Sequence, residues 1–265
     1  MVGTTSLEER HAVEQAKLEA AVGNRALAEL GLATGIRMSL GHTSMRVPGH
    51  PDMFAVKGRG YRVDAINAMR PEDMVICDLD GNWIDGPPWS LQCGEVKIHS
   101  CIYRARPDVV SVTHVHPDFV VLMSILGVPL RPMAQEGARM MMKPIPVFPQ
   151  TKTVNSEAEG QEVAKLLGEK GEAVILFGHG AVTVSTRDVS SCVMTMAQLE
   201  HQCRLNYLAV AAMGAEHPSI PDSYVERIGG GGVVEPHHAA RLAQVPGGRA
   251  PDGRWEYYRE TLGTI

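Results

Sequence analysis

Two short runs in this chain each double back across a glycine-bearing turn, and a sheet built with such turns cannot be purely parallel. VICDLDGNWID (75–85) places Asp80-Gly81-Asn82 between two strand-like runs, and AVILFGHGAVTVS (173–185) turns at Gly178-His179-Gly180. Helical stretches are interleaved with them. Residues 6–34 carry Val13, Ala16, Leu18, Ala21, Leu27 and Leu30 at a broadly helical period, with Ser6 as cap and Glu8 and Glu9 in the first turn. From Gly35 to Phe54 the chain becomes short and Gly/Pro-punctuated, as strands and loops do. GEVKIHSCIYRARP reads as a helix stopped before Pro107, VVSVTHVHP as a β-branched strand, and DFVVLMSILG as another helix. IPVFP is a short strand, EGQEVAKLLGEKG a helix closed by Gly171, and SSCVMTMAQLEHQCRLNYLAVAAMG a long helix with a serine cap. Short strands, recurrent hairpins and intervening helices predict a three-layer α/β/α domain around a mainly antiparallel central sheet.

Residues 1–217 form the expected catalytic domain, and 218–265 a Gly/Pro-rich extension whose short helix (WEYYRETL) packs on that domain or on a neighbouring subunit. Gly229–Gly232 marks a loop or linker within the extension. Trp255, Tyr257 and Tyr258 either cover a neighbouring site or dock the tail.

Bulk properties narrow the function classes. A net charge of −5 with no basic stretch argues against nucleic acid as a partner. The five cysteines are odd in number and lack CxxC spacing, which fits reduced thiols in a cytoplasm better than a disulfide framework. The charged, helix-like first residues lack the apolar centre of a signal peptide, and no apolar run approaches the roughly 18 residues of a membrane span. A soluble, cytoplasmic protein with no membrane partner is the expectation.

The local pattern that points to chemistry is Thr113-His114-Val115-His116 at the end of a strand. Residues at i and i+2 on a strand share a face, so both imidazoles can reach one ion; two half-buried histidines would give the same pattern. Glu95 lies 19 residues before His114, at the start of the helix leading into this strand. His201 lies within an otherwise apolar helical pattern. Three imidazoles and a carboxylate suffice for an open metal site.

The ordered set GHTS (41–44), GEVKIHSCIYRARPDVVSVTHVHP (94–117), FGHGAVTVS (177–185) and LEHQCRLNYLA (199–209) resembles the class II aldolase/adducin family. That resemblance implies the αβα fold, usually a homotetramer, and one divalent ion per subunit (zinc, manganese, iron or cobalt) on His114, His116 and His201. It implies Glu95 as catalytic acid/base, its carboxyl raised by a partly dry pocket. It also implies a lyase acting on a small molecule, although adducin keeps the fold without the chemistry.

The aldolases of that family hold a substrate phosphate with a Gly-Asn-x-Ser segment, a Thr/Ser-Gly turn and a Ser-Ser pair before the glutamate. Here those places read His42, Val56-Lys57-Gly58 and Cys93-Gly94, which removes neutral donors suited to phosphate. GHTSMR, CIYRARPDVV and GVPLRPM are similar instead to the branch that decarboxylates hydroxylated aromatic or pyridine dicarboxylic acids. A small carboxylate substrate would then meet Ser44, Arg46 and Lys57, though each cation could equally be a solvated surface charge. His42 and His179 are the further catalytic candidates: His42 is either a substrate contact or a polar loop residue, and His179 either a hydrogen-bond donor behind the metal or turn chemistry. The alternative activities are retro-aldol cleavage of an unphosphorylated hydroxy-keto acid, an iron-dependent oxygenation, or an adducin-like scaffold.

Overall fold

The computed structural model of the chain describes residues 7–228 and 252–262. Ser6, read as a helix cap, and the Gly229–Gly232 linker lie outside the described residues. The first helix, α1 (Leu7–Glu29), is shorter than expected. It stops because Gly31 takes a left-handed φ of 75°. Gly31 then donates to Ala28 O and Leu32 N to Leu27 O, the paired bonds that close a helix C-terminus.

The strands follow as β1 (His42–Arg46), β2 (Met53–Arg59), β3 (Met74–Asp78), β4 (Trp83–Asp85) and β5 (Leu91–Gln92). Then come α2 (Val96–Ala105), β6 (Ser111–Val115), α3 (Asp118–Leu126), β7 (Val147–Phe148) and α4 (Glu157–Leu167). The chain continues through β8 (Ala173–Leu176), β9 (Gly180–Ser185), α5 (Val189–Met213), α6 (Asp222–Val225) and α7 (Gly253–Leu262). The strand order is β4-β3-β2-β1-β6-β9-β8-β7, with β5 paired to β2. Among the described residues every pairing is antiparallel except β7 with β8. Both turns read from the sequence make hairpins, β3–β4 and β8–β9.

Strand residues alternate between two apolar clusters, as a period of two requires. Met45, Ala55, Ile76, Val115, Ile175 and Ala181 join side chains of α1, α3 and α5. Phe54, Val56, Val75, Val112, Val174 and Val182 join α2 and α4. His114 has the parity of Val112 and therefore lies on the α2 side. That single fact of register decides which helix supplies its partners.

Two helix ends differ from expectation. α4 is capped by the Ser156–Glu159 box but closes at Gly168, whose φ is +66°, rather than at Gly171. α5 is capped by Asp188, whose side chain accepts from Ser191 N at 2.7 Å, and not by a serine.

α5 also anchors the segment after α3. Glu200 accepts from the N–H groups of Phe119 and Val120 at 3.1 and 2.9 Å, capping α3 from outside. Gln202 accepts from Met133 N at 2.9 Å and donates to Ala134 O and Glu136 O at 2.8 and 2.6 Å. Asn206 bonds both N and O of Arg131, each at 2.9 Å. Replacing Gln202 by alanine removes three bonds to part-buried backbone groups, so unfolding by urea is expected to show a loss of about 2 kcal/mol.

The tail helix docks on its own chain: Trp255 Nε1 donates to Glu19 Oε2 at 2.8 Å and Arg259 Nε to Glu19 Oε1 at 2.8 Å. Trp255 and Tyr258 are buried against the α1 side of the core, while Tyr257 is exposed. All five cysteines are buried free thiols. No described helix is long and apolar enough to cross a membrane.

Candidate metal centre

Four donor side chains converge where β6, α2 and the β8–β9 turn meet: Glu95, His114, His116 and His179, with one donor atom of each within 4.8 Å of all the others. Glu95 is the residue immediately before α2, and the helix start aims it back at the sheet. Its Oε1 accepts from Val154 N at 2.9 Å, and its Oε2 lies 3.0 Å from His114 Nε2 and 3.7 Å from His179 Nε2. His114 Nδ1 donates to the carbonyl of Ala181 at 2.9 Å. A carbonyl can only accept, so that bond leaves Nε2 as the nitrogen turned towards the cluster, 3.0 Å from His116 Nε2.

His179 is brought in by two glycines with different duties. Gly178 has a φ of +60°, which turns the chain between the strands. A Cβ on Gly180 would collide with the Val115 carbonyl and with His116, so only glycine lets β9 begin this close to β6. The ring of His179 then lies 5.1 Å from that of His114 and 4.7 Å from that of His116, centroid to centroid.

Electrostatics prepares these groups for a cation. Burial pushes the Glu95 carboxyl up, but the imidazoles of His114 and His179 and the Val154 N–H outweigh it and hold it at about 2. The raised carboxyl expected of a general acid is therefore absent; Glu95 is a firmly ionised carboxylate. Burial and the neighbouring imidazoles hold His116 at about 3 and also lower His179. Burial lowers His114 as well, but the Glu95 carboxylate overrides it and raises that imidazole above its ordinary 6.5. His116, His179 and Glu95 thus stand in the forms that a divalent ion requires, and His114 would give up its proton on binding; the donor set fits zinc, manganese, iron or cobalt.

A pH dependence follows. On acidification from neutrality the first competing proton goes to His114, since His116 and Glu95 titrate only near 3 and 2. Metal affinity is expected to fall about tenfold per pH unit once the pH drops below the raised pKa of His114, one proton per ion. Isothermal titration across pH 5–7 measures the slope; a slope near three would mean that all the imidazoles titrate together.

Of the sequence-read ligands, the structure brings His114 and His116 together and leaves His201 out. His201 is exposed on α5, whereas its neighbours Gln202, Cys203 and Asn206 are buried. The inward face of that helix is occupied by the clamp on residues 131–136, so the polar pattern there was structural. His179 takes the third imidazole position; its signal was the pair of flanking glycines.

The residues read as substrate contacts are committed internally. Arg46 donates to the carbonyls of Val109, Tyr103 and Arg106 at 2.9, 2.8 and 3.1 Å, and to that of Pro51. Ser44 is fully buried and bonds His99 and Tyr103. Lys57 is only 1% exposed and is ion-paired with Asp64, so it is neither a solvated charge nor an open substrate contact. His42 faces His114 across the β1–β6 register, with ring centroids 5.4 Å apart. His99, which carries no local sequence signal, lies behind His42 on α2, its Nε2 2.6 Å from His42 Nδ1.

Residues 19–207 match the family described as "Class II Aldolase and Adducin N-terminal domain". The chain is 30% identical over 252 residues to a 3,4-dihydroxyphthalate decarboxylase of Rhodococcus jostii, covering 88% of this chain and 98% of that protein. It is 30% identical to a 3,4-dihydroxyphthalate decarboxylase of Arthrobacter keyseri, covering 77% and 82%. Among solved structures, the L-fuculose 1-phosphate aldolase of Glaciozyma antarctica is similar with a TM-score of 0.69 at 25% identity, covering 86% of this chain and 84% of that one. An aldolase II superfamily protein from Pseudomonas syringae shares the fold, with a TM-score of 0.74 at 22% identity over 98% and 94% of the two chains.

Proposed function

The chain belongs to the class II aldolase and adducin family, a metal-dependent lyase by that membership, and we propose that it decarboxylates a hydroxylated aromatic carboxylic acid. The observation that carries this reading is the convergence of Glu95, His114, His116 and His179. Two features favour decarboxylation over cleavage of a sugar phosphate. Cys93 and Gly94 stand where the aldolases carry a hydroxyl pair, and the curated relatives above act on a dihydroxylated aromatic diacid.

The four side chains would hold one divalent cation, whose Lewis acidity stabilises negative charge on a substrate oxygen. Glu95, ionised, accepts the proton of the substrate hydroxyl. Glu95 then delivers that proton to the ring carbon bearing the carboxylate, which becomes tetrahedral in a dienone. The bond from that carbon to the carboxylate breaks, carbon dioxide leaves, and the electron pair passes through the ring to the oxygen, so the carboxylate is replaced by hydrogen with no net change of oxidation state. His42, next to His114, is assigned the hydrogen bond to the substrate oxygen, replacing the assignments to Ser44, Arg46 and Lys57. From the family we also infer a homotetramer, which sedimentation velocity measures.

Retro-aldol cleavage of a hydroxy-keto acid would use the same residues, with an aldehyde in place of carbon dioxide as leaving fragment. Incubating the metal-replete protein with 13C-carboxyl-labelled hydroxyaromatic acids separates the two. Labelled carbon dioxide is expected; no release from any of them, with aldehyde formed from hydroxy-keto acids, would overturn the decarboxylase reading.

A further inference from the structure

Behind His42 runs a line of buried polar side chains that the reaction above does not use. His42 Nδ1 lies 2.6 Å from His99 Nε2, His99 Nδ1 lies 2.7 Å from Ser44 Oγ, and Ser44 Oγ lies 2.8 Å from the Tyr103 hydroxyl. The line is built by two periodicities. His42 and Ser44 are i and i+2 on β1, and His99 and Tyr103 are i and i+4 on α2, so each pair shares a face. Four polar groups buried between a strand and a helix carry a desolvation cost that their mutual bonds offset. The far end is fixed: Arg46 stacks 4.6 Å from the Tyr103 ring centroid while bonded to three carbonyls on α2 and the loop after it.

His42 and His99, with Cys93, form a compact group of metal-ligand type. Their nitrogens, however, are 2.6 Å apart, closer than the about 3.3 Å between two ligands on one tetrahedral ion with bonds near 2.05 Å. The contact is a hydrogen bond, and a hydrogen bond between two imidazoles has a direction.

That direction can be followed from the protons available. The Tyr103 hydroxyl is buried and pushed well above its ordinary range, so it keeps its proton. Its nearest acceptor is Ser44 Oγ at 2.8 Å, against Val110 O at 3.4 Å. Ser44 has one proton and two remaining acceptors, His99 Nδ1 at 2.7 Å and Val112 O at 3.4 Å. Giving it to His99 Nδ1 leaves the proton of neutral His99 on Nε2, which donates to His42 Nδ1. His42 must then carry its own proton on Nε2, a nitrogen that has no hydrogen-bond partner among the described residues.

We propose that His99 is a positioning residue which, by donating to His42 Nδ1, locks His42 as an Nε2–H donor facing the substrate oxygen. This assignment rests on the proposed decarboxylation for its kinetic consequence, and on the geometry alone for the tautomer. Without His99 the His42 ring can turn or take its proton at Nδ1, presenting a lone pair where negative charge develops. The oxygen would then lose a donor aimed at it in advance.

The test has a spectroscopic and a kinetic arm. In 15N-histidine-labelled, zinc-loaded protein, the His42 long-range 15N–1H pattern is expected to be that of an Nε2–H imidazole with an accepting Nδ1. In His99→Leu that pattern is expected to shift towards Nδ1–H or a mixture. The kcat for carbon dioxide release should fall at least about tenfold, with one metal ion per chain and KM within about threefold. His99→Gln, whose amide N–H can replace the donor, should restore kcat to within a few-fold. An Nδ1–H pattern for His42 in the unmodified protein overturns the proposal outright. So does an unchanged pattern or an unchanged kcat in a folded His99→Leu protein. If no substrate is decarboxylated by the unmodified protein, the function fails, and the tautomer pattern still decides the role of His99.

Discussion

Metal binding is expected to collapse in His179→Ala and to survive in His201→Ala. His179 contributes one of three imidazoles in a cluster whose donor atoms lie within 4.8 Å of one another. Its ring also packs 4.7 Å from that of His116, centroid to centroid. Removing it should weaken metal affinity by at least about a hundredfold, roughly 2.7 kcal/mol, and carbon dioxide release should fall at least in proportion. His201 is exposed on α5, so its removal should leave stoichiometry and rate within about twofold. Inductively coupled plasma analysis of the dialysed proteins separates the two variants. The opposite ranking would return the third imidazole position to α5 and detach His179 from the site.

The second large effect belongs to Glu95. Glu95→Gln keeps an oxygen able to accept from Val154 N–H, a bond now 2.9 Å long, so the side chain should stay in place. It loses the negative charge that raises the His114 imidazole. It also loses the capacity to take and return a proton. Turnover should fall at least about a hundredfold while the three imidazoles still retain the ion, more weakly than before. Full turnover with metal bound would remove Glu95 from proton transfer. The variant should also lower the His114 pKa, because the carboxylate that opposes the burial of that imidazole is gone; a histidine NMR titration reads this directly.

What the sequence disclosed and what it hid divide along physical lines. Turns with glycine and runs with a period of two are local, and both hairpins and the antiparallel character of the sheet were readable from them. His114 and His116 were readable because two residues apart on a strand share a face whatever the rest of the chain does. Glu95 needed the family resemblance, since a carboxylate at a helix start is commonplace. His179 stays open between a donor at the site and turn chemistry in the sequence, because a histidine between glycines is ordinary in a turn; the approach of Gly180 to the Val115 carbonyl shows why this turn lies beside Glu95, His114 and His116. His201 misled because helical periodicity does not say which face a packed loop will claim. Arg46, Ser44 and Lys57 look like substrate contacts in a one-dimensional text, yet their partners Tyr103, His99 and Asp64 are remote or on another element. His99 was invisible for the same reason. Its bonds run to β1, 57 and 55 positions away, and nothing local distinguishes it from any polar residue on a helix.

The most direct test of the proposed function is the rate of carbon dioxide release from hydroxylated aromatic carboxylic acids, measured while Mn2+, Fe2+ or Zn2+ is titrated into metal-free protein. The account predicts a rate that rises in proportion to occupancy and saturates at one ion per chain. The same titration of His179→Ala should stay flat at those concentrations. Release at full rate from metal-free protein, or none at full occupancy with any hydroxyaromatic acid, would contradict it.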